Sequence, residues 1–255
     1  MPVVQKLSID PKAFVRVEVA KVFLTLSQFI PKQFTLDMLL PMMVGFLKDT
    51  DPNTNLAVFS ALPGLSNCIP APQLEETALQ CINQLFASNN WRTKCRAVEI
   101  MGEFMKLPAF LNDRILNIVV GWAHDKIDAV RMKALGLLES LIRSGEATFI
   151  EGKLLPKLVA MQSCPSYLQR QLILHIIGRT SRCVSADVLN NMYFPVMATL
   201  SKDRVPNIRF MVARVLKDNP QLLNNQRFKT LVDALTEDKD IEVKQEMRLA
   251  SSTGT

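Results

Sequence analysis

Hydrophobic positions along the chain recur at helical spacing. In "VRVEVAKVFLTLSQF" from Val15, "RAVEIMGEFMKL" from Arg96 and "IRFMVARVLKD" from Ile208, apolar residues return at i, i+3, i+4 and i+7. This spacing puts them on one face of an amphipathic α-helix. A second class of apolar segment, such as "LLPKLVAMQS" from Leu154, has a proline near its start, which suits a first helical turn or a mild bend. The pattern predicts pairs of helices along the whole chain.

A polar turn with a fixed spacing precedes each helix of the first class. In "DPKAFVR", "DKIDAVR", "DRVPNIR" and "DKDIEVK" an Asp stands six residues before a basic residue. "SNNWRTK", "CPSYLQR" and "DTDPNTN" match by position, with Ser88 or Cys164 replacing the Asp and Asn55 replacing the base. The closing residues, called anchors below, recur every 35 to 39 residues: Arg16, Asn55, Lys94, Arg131, Arg170, Arg209 and Lys244.

A period near 39 residues is typical of two-helix repeats of the HEAT or armadillo type, at about 40–47 residues, and exceeds the ankyrin and tetratricopeptide periods of about 33–34. We therefore expect an all-α, right-handed α-solenoid of about six and a half two-helix repeats over residues 1–250, with a disordered tail at 251–255. Residues 1–30 would supply a second helix whose partner is missing or poorly formed. Its open apolar face would then need a cover, or the chain derives from a longer ancestor.

The spacing from Asp to anchor has a mechanical interpretation. The Asp carboxylate can cap the helix or the turn before it. When repeats stack, the Asp of one turn would meet the anchor of the next repeat, and a ladder of such pairs would fix the angle between repeats. Independent caps with solvated bases are the alternative.

The net charge and the cysteines indicate which class of binding partner and which cellular compartment to expect. The formal net charge is +6, and both signs alternate along the chain, which favours an acidic protein partner at least as much as nucleic acid. Five scattered cysteines without a C-x-x-C pair predict reduced, mostly buried thiols. The N-terminus lacks a signal-peptide pattern and the apolar runs are too short for a membrane span. We expect a cytoplasmic protein, with the nucleus as a second location.

Catalytic patterns are absent from the sequence. No phosphate-binding glycine loop, nucleophile elbow or zinc-protease motif occurs. We expect His124 to face water or cap carbonyl groups, and His175 to be a core histidine. The sequence predicts a protein that is not an enzyme and carries no cofactor or metal.

The turns between paired helices are the predicted binding surface, because in a helical solenoid they align along one ridge. Trp91, Arg92 and Tyr167 lie in these turns. Trp, Tyr and Arg dominate the residues that carry binding energy at protein interfaces. The alternative is that Trp91 folds back onto its own helix pair.

Non-repeating details of these turns carry a family resemblance. "NNWRTKCRAVEIM", "LLPKLVAMQSCPSYLQRQ", "FPVMATLSKDRVPNIRFMVARVL", "LTEDKDIEVK", "LLPMMVGFLKDTDPN" and "GWAHDKIDAVRMKA" resemble the closing HEAT repeats of the scaffold (A) subunit of protein phosphatase 2A. The resemblance runs from residue 10 to about residue 250 in order and with the same spacings.

The resemblance implies a non-catalytic scaffold that binds a serine/threonine phosphatase catalytic subunit of the 2A type along the turns. Trp91 and Arg92 match the family's W-R turn, and Tyr167 matches its P-x-Y-L turn. Val205 and Asn207 match its V-x-N-[VI]-R turn. Asp128, in contrast, stands where the family tends to have an aromatic residue.

The resemblance also leaves alternatives open. The family protein is about twice this length, and its earlier repeats hold the B-type regulatory partner. Without those repeats, the chain could bind the catalytic partner but no B-type partner, and could compete with the full scaffold. A HEAT adaptor for another client, such as a transport or cytoskeletal protein bound on the concave face, is the second hypothesis. A nucleic-acid-binding solenoid is disfavoured by the mixed charges along the turns.

Overall fold

The computed structural model describes residues 2–252, with side chains through residue 248, and this part of the chain is helical without strands. The α-helices are α1 (Pro2–Ser8), α2 (Ala13–Ser27), α3 (Lys32–Phe34), α4 (Leu40–Phe46), α5 (Pro52–Ala61), α6 (Ala71–Ala87), α7 (Trp91–Phe104), α8 (Asp113–Trp122), α9 (Asp128–Ser144), α10 (Ala147–Phe149), α11 (Leu155–Val159), α12 (Tyr167–Thr180), α13 (Ala186–Val188), α14 (Phe194–Leu200), α15 (Pro206–Lys217), α16 (Pro220–Leu223), α17 (Lys229–Thr236) and α18 (Ile241–Ser252).

The helices form two compact units. The first comprises Met1–Ile115 with Lys126–Lys133, and the second comprises Leu116–Asp125 with Ala134–Thr255. At the start of the first unit, α1 contacts α2 but buries none of its own residues. At the other end, α18 runs to Ser252, so the last three residues of the predicted disordered tail lie outside the described part of the chain.

Aromatic side chains fill the core of the first unit. Phe59 and Phe104 stack with ring centroids 4.8 Å apart, and Phe104 meets Phe110 at the same distance. Phe23 and Phe46 approach to 5.6 Å. Such pairs contribute about 0.5–1.5 kcal/mol each beyond the burial of their area. The Phe59–Phe104 and Phe23–Phe46 contacts join helices that are distant in sequence, which is how stacked helix pairs obtain a continuous core.

The core of the second unit contains a buried polar pair. The hydroxyl groups of Tyr193 and Thr180 lie 2.7 Å apart, and Thr180 Oγ1 also donates to the carbonyl of Ile176 at 2.7 Å. Burial raises the pKa of Tyr193 to about 12. The pair satisfies both hydroxyl groups away from water, as buried polar groups require. Phe194, next in the chain, packs edge-on against Phe228 at 5.2 Å.

Prolines of the first helix class follow a widened helical turn in each case. Short π-helical segments at Thr35–Leu39, Ile150–Leu154 and Leu189–Tyr193 run directly into α4, α11 and α14. The second residue of each following α-helix is a proline. A proline lacks the N–H for an i→i−4 bond, and its ring presses on the carbonyl four residues earlier. The wider π turn moves that carbonyl away, so the helix continues through the proline. Shorter 3₁₀ turns occur at Leu62–Leu65, Pro108–Phe110 and Ala160–Ser163.

Part-buried and buried ion pairs link consecutive turns within each unit. Arg16 meets Asp49 at 2.6 and 2.8 Å in the first unit. In the second, Arg209 meets Asp238 at 2.7 and 2.9 Å, and Arg170 contacts Asp203 in the same way. The direction is the reverse of the one expected from sequence, because the anchor of one repeat meets the Asp of the following turn. That Asp also accepts the backbone N–H two residues ahead, so it caps its own turn.

One position of this ladder in the first unit lacks both charges. Asn55 occupies the anchor site after Arg16, and Ser88 occupies the Asp site that follows it, 33 residues later as in the Arg16–Asp49 pair. Asn55 is 5% exposed, and its Oδ1 has no hydrogen-bond partner among the described residues. Losing both charges together avoids a buried charge without a partner, which would cost about 3–5 kcal/mol.

The burial of the cysteine and histidine side chains differs in part from what the sequence predicts. All five cysteines are free, but only Cys81 and Cys95 are buried, while Cys183 is exposed, so the prediction of mostly buried thiols is wrong. Burial raises the pKa of the Cys81 thiol. His124 and His175 are both half-buried, so His175 is less enclosed than a core histidine, although its chain neighbours on both sides are fully buried.

Candidate partner-binding turns

The turn before α7 is held by two side-chain caps. Ser88 Oγ accepts the backbone N–H of Asn90 at 3.0 Å, and Asn90 Oδ1 accepts that of Arg92 at 3.0 Å. Asn90 is the N-cap of α7, which makes Trp91 the first residue of the helix. Because both caps are local, the position of Trp91 is set by its own turn and needs no contact from a partner.

Trp91 is open to solvent and carries a cation on its face. The side chain is 39% exposed, and the guanidinium carbon of Arg92 lies 4.6 Å from the ring centroid. Such a cation–π contact contributes about 0.5–1 kcal/mol at an exposed site. The pair forms a flat, preorganised plate with an apolar centre and a positive edge. About two fifths of Trp91 is therefore accessible to a partner, while the rest of the residue is covered within the chain.

The equivalent turn of the second unit exposes two large side chains. Tyr167 and Leu168 begin α12 and are 41% and 42% exposed. Arg170 Nη1 donates to the carbonyl groups of Cys164 and Pro165 at 2.8 and 2.9 Å, which fixes the turn beneath them. Sequence reasoning missed Leu168. No signal in the sequence marked it, because Leu168 stands four residues before buried Leu172 and therefore on the same helical face.

Val205 and Asn207 lie in the next turn of the same unit. Val205 is half-buried, and its N–H donates to Asp203 Oδ1 at 2.9 Å. Asn207 is exposed at the start of α15. Burial alone raises the pKa of Asp203, but hydrogen bonds from Arg170 and from the Val205 backbone outweigh it and leave the pKa below its ordinary value.

One carboxylate links the two turns that carry three of the predicted residues, Tyr167, Val205 and Asn207. Asp203 binds Arg170, which lies three residues after Tyr167, and it caps the turn that carries Val205 and Asn207. Trp91 and Arg92 belong to the first unit and Tyr167, Val205 and Asn207 to the second, so the structure gathers them as two groups, each within its own unit.

Asp128 presents a charge where the resemblance leads us to expect an aromatic ring. Its carboxylate is 77% exposed and accepts a hydrogen bond from Arg131 Nη2 at 2.7 Å. The side chain thus serves its own helix and offers no apolar area to a partner.

No cluster of three His, Cys, Asp or Glu side chains that could hold a metal ion occurs among the described residues. Within the same part of the chain, the structure contains no helix of the length and apolar character that a membrane crossing needs.

Comparisons with known proteins point to phosphatase regulatory subunits. No family model matches the chain. Human serine/threonine-protein phosphatase 4 regulatory subunit 1 is 25% identical over 202 residues, which cover 75% of this chain and 21% of that protein. The A-type regulatory subunit of protein phosphatase PP2A from Schizosaccharomyces pombe is 34% identical over 64 residues, covering 25% of this chain and 11% of that protein. This chain therefore spans a quarter or less of the length of the curated relatives it matches.

A solved structure shows the same fold. The crystal structure of Kap121p bound to Nup53p superposes on 96% of this chain and 28% of its own with a TM-score of 0.73, at 12% identity. At that identity the likeness concerns the fold alone. The all-α solenoid of HEAT or armadillo type is confirmed, and so is the resemblance: the chain is similar to regulatory subunits of protein phosphatases 4 and 2A.

Proposed function

We propose that this chain is a non-catalytic scaffold or regulatory subunit that binds a serine/threonine protein phosphatase catalytic subunit of the 2A type through its intra-repeat turns and organises the holoenzyme. The observation that carries the proposal is the exposed plate of Trp91 and Arg92 in a turn fixed by local caps. The similarity to proteins named as regulatory subunits of phosphatases 4 and 2A supports it.

The geometry suits a scaffold because its contact residues are held before binding. Each lies at the start of a helix whose turn is tied by caps or by a buried Arg–Asp pair. A rigid site loses little conformational entropy on association, which preserves affinity. All phosphatase chemistry would belong to the partner, and the chain would contribute no catalytic group.

Whether a B-type regulatory subunit joins the complex would be decided by adding it to the preformed pair of this chain and the catalytic subunit. We place the complex in the cytoplasm, with a nuclear pool as the alternative that imaging of the tagged chain would reveal.

Binding of purified catalytic subunits by the purified chain tests the proposal. Calorimetry with the catalytic subunits of phosphatases 2A and 4 would identify the type. Trp91→Ala should weaken the Kd by about thirtyfold, since truncating an aromatic interface anchor typically costs about 2 kcal/mol or more. Phe29→Ala is the control, because Phe29 is 78% exposed in the same unit but lies outside the turns. A wild-type chain that binds neither catalytic subunit would refute the proposal.

A groove in the first unit favours the second candidate, an adaptor for another protein client. A cavity of about 600 Å³ lies along α2, α5 and α7, with Val17, Leu24, Leu56 and Ile100 among its apolar lining residues. Its occupant would contact the helix faces and not the turns. If Ile100→Glu abolishes capture of the client and Trp91→Ala does not, the adaptor function replaces the scaffold function.

A further inference from the structure

From residue 35 onward, exposed large apolar side chains lie at two adjacent positions of the repeat. Four are exposed between residues 35 and 248, namely Trp91, Tyr167, Leu168 and Ile241, whereas residues 2–34 expose seven: Val3, Leu7, Ile9, Phe14, Val22, Phe29 and Phe34. Each of the four beyond residue 34 is the first or second residue of a helix that follows a turn. Single exposed apolar residues are ordinary on protein surfaces and scatter without order. Beyond residue 34, all four lie two or three residues before an anchor, which random scatter would not favour.

The anchors show that these positions alternate along the chain. Trp91, Tyr167 and Ile241 each stand three residues before their anchor. Phe14, 66% exposed, stands two residues before Arg16. The first, third, fifth and seventh repeats thus carry a large exposed apolar side chain. The same two positions of the second, fourth and sixth repeats hold Pro52 and Asn53, Asp128 and Ala129, and Pro206 and Asn207.

Phe14 reproduces the arrangement at Trp91 within the first unit. Lys12 Nζ lies 5.9 Å from the Phe14 ring centroid, as Arg92 lies over Trp91. Phe14 also lines the end of the groove where α2 and α5 begin, beside Asn53. Two aromatic plates with cationic edges therefore stand two repeats apart, each at the N-terminus of a helix, where the backbone dipole adds positive potential.

Ile241 is held as firmly in the second unit. Asp240 Oδ1 accepts the N–H of Glu242 at 3.0 Å, the same cap that Asn90 provides before Trp91. Asp238, at the start of this turn, is bound by Arg209. Ile241 is 69% exposed on this fixed turn. No capping role calls for isoleucine at that position, where Pro206 and Asp128 serve in other repeats.

We propose that Phe14 and Ile241 are further partner-contact residues, beside those already proposed in the turns before α7, α12 and α15. This inference rests on the proposed function and extends it to the first and last repeats. The partner surface that fits would offer apolar pockets, and those receiving Phe14 and Trp91 would have carboxylates at their rims to meet Lys12 and Arg92. An acidic rim would pair with both cations once water is excluded.

The test measures binding of the purified phosphatase catalytic subunit by the full chain and its variants. Phe14→Ala and Ile241→Ala should each weaken the Kd by at least about fivefold, as truncated interface anchors do. Lys12→Glu should weaken it by about tenfold through repulsion at the rim. Phe29→Ala is the control, because Phe29 is exposed in the same unit but lies outside the turns, and it should stay within about twofold of wild type. Thermal unfolding of each variant should match wild type, so that a change in Kd reports contact and not folding.

The outcomes separate the two proposals. If wild type binds, Trp91→Ala weakens binding, and either Phe14→Ala or Ile241→Ala is silent, the inference is overturned and the proposed function stands. If wild type does not bind, both are overturned. An unchanged Kd for Lys12→Glu would contradict the proposal that carboxylates of the partner lie around the pocket that receives Phe14.

Discussion

The guanidinium of Arg170 and the carboxylate of Asp203 are joined by two hydrogen bonds of 2.7 and 3.0 Å. Both side chains are only 8% exposed. The third nitrogen of the same guanidinium donates to the carbonyl groups of Cys164 and Pro165 in its own repeat. One side chain thereby ties two consecutive turns together. The bidentate geometry fixes orientation as well as distance, which a lysine in this place could not do.

Removing the charge of this pair should destabilise the chain strongly. Asp203→Asn leaves the buried guanidinium without a counter-charge, so we expect the free energy of unfolding to fall by about 3 kcal/mol. Urea denaturation followed by circular dichroism measures it. The control is Glu103→Gln, whose partner Lys106 lies on the surface with 69% exposure. That change should stay within about 1 kcal/mol, and equal losses for both variants would contradict the structural role of the buried pair.

The position of the ladder at Asn55 and Ser88, which lacks both charges, should gain an ion pair only when both residues are substituted. Asn55→Arg alone buries a cation opposite Ser88, and Ser88→Asp alone offers a carboxylate without a base, so each should lower stability or leave it unchanged. The double variant should form the pair seen between Arg16 and Asp49. A double-mutant cycle should give a favourable coupling of about 2 kcal/mol. Additive effects of the two substitutions would show that the two positions do not meet.

At low pH the Arg–Asp pairs between turns should contribute less to the free energy of unfolding. Hydrogen bonds from Arg209 hold the pKa of Asp238 below its ordinary value. A carboxylate with a lowered folded-state pKa contributes stability above its unfolded pKa of about 4 and loses it as the pH falls through the folded-state pKa. The unfolding free energy of wild type should therefore decline below about pH 4. The Arg209→Met, Asp238→Leu double variant should show a shallower decline, and parallel curves would rule out this pair as a source of the acid sensitivity.

At high pH the free energy of unfolding should fall because of the buried hydroxyl group of Tyr193. The pKa of Tyr193 is raised to about 12 by burial, while its unfolded value is about 10. Because the unfolded chain gives up this proton first, stability should fall as the pH rises through this window. Tyr193→Phe removes this dependence and costs about 1 kcal/mol at neutral pH through the lost hydrogen bond to Thr180. Absorbance titration of phenolate in wild type and variant would detect the late-titrating group directly; its absence in wild type would contradict the burial of the hydroxyl.

Much of the site followed from local sequence. The polar residues before each anchor predicted the turns and placed Trp91 and Tyr167 within them, whereas in the structure these two residues are the first of α7 and α12. Their exposure of about 40% could not be predicted, since a ring at that position could also fold onto its neighbours. Leu168 was overlooked for the same reason.

The sequence by itself determined the repeat period, the helix pairs and the residues that pair charges across turns, because these depend on spacing along one chain and on side-chain chemistry. The tertiary structure decided which way the ladder runs, joining Arg170 to Asp203 rather than to an earlier turn, and where helices widen before Pro41, Pro156 and Pro195. The physical reason is that these features depend on the offset between stacked repeats and on steric fit within a packed helix. Spacing in the sequence constrains neither.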